Sequence, residues 1–172
     1  GKWVVAANYS GGSFSTLKIN KDGSISAPKN IISHKGKSVN KERQEKAHVH
    51  QALLSADNKY LLTADLGIDK IMVYRFNSSF GSATVKADAM TSISAGSGPR
   101  HLAFHPTAKF VYLTEELTGT VGAFSFDKIT GKLKLLQTIS AVPEDYKGAL
   151  SGADIHVSPD GKFLYASNRG EL

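Results

Sequence analysis

The chain has 172 residues, 41% of them apolar and 21% charged, a balance that suits a packed domain and excludes a disordered segment. No apolar run approaches the roughly 18 residues of a membrane span, so no membrane partner is expected. Cysteine is absent and the net charge is +6, which rules out disulfides, thiolate zinc sites and a cysteine nucleophile, fits a reducing cytoplasmic setting and suits an anionic small substrate.

The opening GKWVVAANY shows no signal-peptide regions in series and reads as a strand, WVVAAN. The glycines of NYSGGS follow that strand without opening a helical pattern, so they are not a phosphate-cradling motif. FSTLKI from Phe14 is the next strand, and Asn20-Lys21-Asp22-Gly23 marks a hairpin turn. Ser33–Lys46 carries five Lys or Arg against two Glu. Lacking apolar periodicity and interleaved aromatics, it is read as a solvated loop, and no nucleic acid is expected to bind. HVH at 48–50 could supply two metal ligands, but no third is evident nearby. HQALLSADNK and YLLTAD then form a strand, a turn and a strand. Asp69 shapes the next turn before IMVYRF. The pattern returns as HLAFHPTAK, FVYLTE and VGAFSF, with a turn at Asp127–Gly131 and an outer strand LKLLQTI. IHVSPDGK and FLYASN begin it once more.

These segments are copies of one unit. Lys2-Trp3, Lys59-Tyr60, Lys109-Phe110 and Lys162-Phe163 each open an apolar run, at steps of 57, 50 and 53 residues; the lysines read as solvated. Four short strands in about 50 residues match a β-propeller blade. A sandwich would not hold one register through four copies. The expected fold is all-β, a propeller of four-stranded antiparallel blades. It comprises a partial blade over 1–32, blades over 48–95 and 98–142, and a partial blade over 153–172. So few blades cannot close, and the chain is expected to be a piece of a longer one.

In a propeller the first strand of each blade lines the channel and the second runs antiparallel to it. The start of strand one and the end of strand two therefore share one mouth. His50, Arg100 and Ala153 are equivalent at the start of strand one; Tyr9, Leu66, Glu116 and Arg169 are equivalent just after strand two. His50, Arg100, Glu116 and Arg169 are thus predicted to ring one opening as catalytic candidates. Arginine offers a fixed donor fork for carboxylate, phosphate or oxyanion, and histidine and glutamate can move protons near neutral pH. Asn8, Asp65, Glu115 and Asn168 are equivalent at the last position of strand two. Asn8, Asp65 and Asn168 are carried, with His48, as substrate-binding candidates; the other reading is that they bond the backbone of the next blade. Parity sends Glu115 and Glu116 to opposite faces, and parity likewise turns His101 away from Arg100. His101, His105 and His156 are read as hydrogen-bonded core or turn residues.

ANYSGGS, AHVHQ, ADLGIDKI, GSGPRHLAFHP, YLTEEL and SGADIHVSPDGKFLYASNRG resemble, in order, the blocks of the seven-bladed lactonase propellers. That family contains 6-phosphogluconolactonases and fungal carboxymuconate-cyclising enzymes. The resemblance covers essentially the whole chain, about half of a family member. It implies that His50, Arg100, Glu116 (the second glutamate of TEEL) and Arg169 are pocket residues. It also implies hydrolysis of a sugar lactone, 6-phosphoglucono-1,5-lactone of the pentose phosphate route first among candidates. Glu116 would be the general base, Arg100 and Arg169 would hold the oxyanion or phosphate, and His50 would assist proton transfer to the ring oxygen. No metal and no cofactor are required. The alternatives are a muconolactone-forming cycloisomerase, a non-catalytic interaction platform, and a lactonase holding Ca²⁺ through Asn8, Asp65, Glu115 and Asn168.

Overall fold

The structure, a computed structural model, describes residues 1–170, apart from the side chains of 86–89. It contains thirteen strands among these residues: β1 (Trp3–Asn8), β2 (Ser13–Ile19), β3 (Ile25–Ser33), β4 (Val49–Leu54), β5 (Tyr60–Asp65), β6 (Lys70–Asn77), β7 (Ser82–Ser92), β8 (Pro99–Phe104), β9 (Phe110–Glu115), β10 (Thr120–Phe126), β11 (Leu133–Ser140), β12 (Gly152–Val157) and β13 (Leu164–Asn168). A single 3-10 turn at Leu66–Ile68 is the only helical element among the described residues, and no helix there is long and apolar enough to cross a membrane.

The strands form four antiparallel sheets in which spatial order equals chain order: β1-β2-β3, β4 to β7, β8 to β11, and β12-β13. Within each sheet consecutive strands are joined by short turns that return the chain beside itself, and after β3, β7 and β11 the chain passes to the next sheet. The first strands stand side by side, with β8 against β4 and β12, and β1 against β4. This is the expected blade stacking of a propeller.

Strict alternation along the strands holds the blades together. From β5 and β6, Tyr60, Leu62, Ala64, Ile71 and Val73 meet Leu102, Val111, Leu113, Phe124 and Phe126 of the third sheet. The opposite parity, Leu61 and Tyr74, joins Phe14 and Val49 in a second cluster against the first sheet. β5 is consequently buried at every position, as a strand closed in on both faces must be. Fully burying one such side chain contributes about 2 kcal/mol. The outer strand β11, facing no neighbour along most of its length, is exposed.

One irregularity recurs where it matters. β4, β8 and β12 each shift register against their partner, between Val49 and Gln51, Pro99 and His101, and Gly152 and Ile155. A bulge of this kind gives an extra residue at the strand's start and re-aims the side chains around it.

Candidate active site

The bulges place His50 and Arg100 beside the segment that leaves β9, and Arg169 arrives from the end of β13. All three meet Glu116. Its Oε2 accepts from Arg100 Nε at 3.0 Å and lies 3.8 Å from His50 Nε2. Its Oε1 lies 2.9 Å from Arg169 Nη2. The four catalytic candidates are thus brought to one opening from three blades.

The strap Ser33–Lys46 adds a fifth member. Arg43 Nη2 donates to Glu116 Oε1 at 2.7 Å and approaches the Tyr9 hydroxyl at 3.4 Å. The segment is the largely exposed loop expected, but it is also docked onto the blades, which was not expected. Gln44 is fully buried and donates to the Leu66 carbonyl; Ser38 donates to Asp69 at 2.5 Å; the Asn40 side chain accepts from the Glu42 and Arg43 amides. Asp69 also accepts from the Gly96 and Gly98 amides, so it anchors strap and blade start together. The close approach needs Gly67, where a Cβ would run into the Lys46 carbonyl. Side-chain hydrogen bonds over long sequence distances hold this segment, and they leave no periodic trace in the sequence. The local signal was a residue pattern, Asn40 capping its own next turn, which does not say where the turn docks.

His101 also departs from its expected position. The bulge at Pro99–His101 breaks the two-residue alternation, so its ring faces the opening instead of turning away. It sits edge-on to His50 at 5.1 Å and bonds Asp154 Oδ1 through Nδ1 at 2.8 Å. Asp154 takes His156 on its other oxygen. His105, by contrast, bonds Thr107 within its own turn and the Gly161 carbonyl in the turn between β12 and β13.

The substrate-binding candidates have partners within the chain. The Asn8 amide donates to Ser13 and Ser15. Asp65, wholly buried, accepts from the His48 and Gly67 amides and pairs with His34 at 2.6 Å. Asn168 accepts from the Ser151 amide and donates to Tyr146 and the Ala149 carbonyl. Glu115 accepts from Thr120 at 2.5 Å. His48 engages the Tyr9 carbonyl and Glu45 with its two ring nitrogens, and its ring stacks under Tyr9 at 4.4 Å. Tyr9 in turn meets His50 edge-on at 5.4 Å. These residues brace the wall of the mouth.

Electrostatics separate the two proton-handling groups. Burial raises the Glu116 carboxyl, but the hydrogen bond from Arg43 and the charges of Arg43, Arg169 and Arg100 outweigh it, leaving a net lowering. Burial, with the positive charge of Arg100, pulls His50 down to about 4. The opening therefore holds an ionised carboxylate and a neutral imidazole at neutral pH. His50 Nδ1 is buried and has no hydrogen-bond partner among the described residues. Glu115, on the other face, is raised by burial.

The model of the family described as "Lactonase, 7-bladed beta-propeller" matches residues 1–171. The chain belongs to the seven-bladed lactonase propellers. Among them it is 36% identical over 169 residues to the 6-phosphogluconolactonase of Bacillus subtilis (strain 168), covering 98% of this chain and 47% of that protein. It is 38% identical to the 6-phosphogluconolactonase of Formosa agariphila, covering 99% of this chain and 48% of the other. The solved structure of the periplasmic gluconolactonase PpgL of Pseudomonas aeruginosa superposes with a TM-score of 0.89 at 38% identity, covering 99% of this chain and 48% of that one. The chain thus spans about half the length of the curated lactonase propellers it matches.

Proposed function

We propose that the complete protein hydrolyses a small anionic sugar lactone, first among candidates 6-phosphoglucono-1,5-lactone, to its open hydroxy acid. The observation that carries this reading is the cluster on Glu116: three guanidinium groups and one neutral imidazole around a single buried carboxylate at a channel mouth. Relatives named 6-phosphogluconolactonase support it.

His50 Nε2 and Glu116 Oε2, 3.8 Å apart, are close enough for one water to touch both. Three arginines hold the Glu116 carboxyl below its ordinary value, and burial with Arg100 holds His50 at about 4, so both are weak bases that stay unprotonated at neutral pH. The proton-accepting role is assigned to His50, and not to Glu116 where the sequence reading put it, because protonating Glu116 would discharge the partner of three guanidiniums, whereas an imidazolium on His50 forms beside an ionised carboxylate. Water adds to the lactone carbonyl carbon while its proton goes to His50, and Glu116 stabilises the imidazolium formed. Arg100, whose Nη1 also holds the Ala153 carbonyl at 2.6 Å, is fixed for the oxyanion. Collapse of the tetrahedral intermediate breaks the bond to the ring oxygen, which takes the proton back from His50.

The test follows loss of 6-phosphogluconolactone by the complete protein against spontaneous hydrolysis below pH 7. Wild-type turnover that His50→Ala lowers by about 10² to 10³ supports the proposal. Wild type indistinguishable from buffer overturns it.

A further inference from the structure

The imidazole of His50 is steered by packing. Its Nδ1 has no hydrogen-bond partner among the described residues, and Nε2 lies 3.8 Å from Glu116, beyond hydrogen-bond length. Tyr9 meets the ring edge-on at 5.4 Å and His101 meets it edge-on at 5.1 Å, a geometry that aromatic pairs favour. Tyr9 is in turn stacked on His48, whereas His101 is held by a charge. Its Nδ1 bonds Asp154 Oδ1 at 2.8 Å; the Ile155 amide donates to the same oxygen at 3.0 Å, and His156 Nε2 takes Oδ2 at 2.8 Å. The hydrogen bonds from His101 and His156 hold the Asp154 carboxyl below its usual range, so it accepts the Nδ1 proton of His101. Register shifts in two neighbouring strands, β8 and β12, bring these side chains together.

We infer that His101, held by Asp154, is a positioning residue for His50: it fixes the plane of the imidazole and, when protonated, repels a second positive charge from it. This rests on the lactonase reading above and on His50 as its base. Neither His101 nor Asp154 exchanges a proton with the substrate. Nε2 of His50 has to aim at the water it shares with Glu116, and a ring free to turn about its Cβ–Cγ bond would lose that aim. Edge-on neighbours remove the freedom before substrate arrives. The charges of Arg100 and then of His101 add to burial in lowering His50, which keeps the base free of a proton. The titratable and charged groups facing the two rings are Tyr9, Arg100, Glu116, Asp154 and His156, with Arg43 and Arg169 behind Glu116. Of these, Glu116 raises His50 and is outweighed.

The experiment uses the complete protein and 6-phosphoglucono-1,5-lactone, with kcat and KM followed from about pH 4 to 7 and His50 titrated by NMR after nitrogen-15 labelling of the histidines. His101→Ala should lower kcat by about 10- to 100-fold with KM within about twofold. The acid limb of its profile should move to higher pH, because a repelling charge has gone from beside His50. His101→Phe keeps the edge-on ring without the charge, so it should restore most of kcat at neutral pH and leave the limb displaced. Asp154 is 53% exposed, so Asp154→Ala leaves the fold intact; it should lower kcat through His101 alone, and the double variant should be no worse than His101→Ala. A loss confined to KM, an acid limb that stays in place in His101→Ala, or losses that multiply in the double variant overturn the inference while leaving lactone hydrolysis standing. Wild type indistinguishable from buffer defeats the functional reading, and the NMR titration then decides alone: His50 titrating at higher pH in His101→Ala supports the inference, and an unchanged titration overturns it.

Discussion

Arg43 and Glu116 lie 73 residues apart in the chain and 2.7 Å apart in space, joined across the mouth by the strap that leads from β3 to β4. That one bond links a largely exposed loop to a buried carboxylate of the site, and several consequences are open to measurement.

Glu116→Gln should lower lactonase turnover by about 10² or more, because the imidazolium forming on His50 loses its counter-charge. It should also lower stability by about 2 kcal/mol, since Arg100, only 14% exposed, would keep its charge without its carboxylate. Paired kinetic and thermal-unfolding measurements check both effects; a fully active variant would remove Glu116 from the mechanism.

The pH dependence has a definite sign. His50 titrates at about 4 in the folded protein against an ordinary 6.5, so the unfolded chain binds the extra proton first as pH falls. Stability is whole above about pH 6.5 and declines between there and pH 4, by up to about 3 kcal/mol. The lowered Glu116 carboxyl acts in the same direction below its ordinary value. Denaturant titrations from pH 8 to 4 should show this slope, and His50→Asn should flatten its upper part. Turnover should also persist well below pH 6.5, since the imidazole stays neutral there.

Gly67→Ala should disturb the strap without dismantling the blades. The added Cβ would meet the Lys46 carbonyl and lie 2.8 Å from the His48 amide nitrogen, pushing the segment that carries Arg43 outward. KM for the phosphorylated lactone should rise about tenfold, with faster limited proteolysis within 35–46. An unchanged KM and cleavage pattern would mean that the strap tolerates displacement.

Arg100→Lys keeps the charge but loses the fork that joins Glu116 to the Ala153 carbonyl. Turnover should fall by about 10- to 100-fold, which steady-state kinetics at saturating substrate will read.

Leu62→Ala, between the second and third blades, should cost about 2 to 5 kcal/mol of stability, because Leu62 is wholly buried. Chemical denaturation of the complete protein measures this, and KM should stay unchanged.

Much of the site was legible from the repeat. The ends of β1, β5, β9 and β13 fall at Asn8, Asp65, Glu115 and Asn168, the register positions that the Lys-aromatic alignment picks out, and the residues that follow include Tyr9, Glu116 and Arg169. His50 and Arg100 each stand second in their strands. A repeat carries such information because equivalent residues occupy equivalent places around one axis. His101 was misread for a local reason: a bulge breaks the alternation on which parity depends. Arg43 was missed because Ser38, Asn40 and Gln44 hold the strap by single hydrogen bonds to distant groups, and a hydrogen-bonding side chain in sequence does not name its partner.

By itself, then, the amino-acid order determined the strands, their stacking into blades and the family, since these follow from alternation and repetition along the chain. Tertiary structure alone decided how many guanidiniums share the Glu116 carboxylate, which ionisation each group keeps, and that a charged strap completes the mouth. Those properties depend on burial and on distances of a few ångströms between residues from different blades, and neither is written in local pattern.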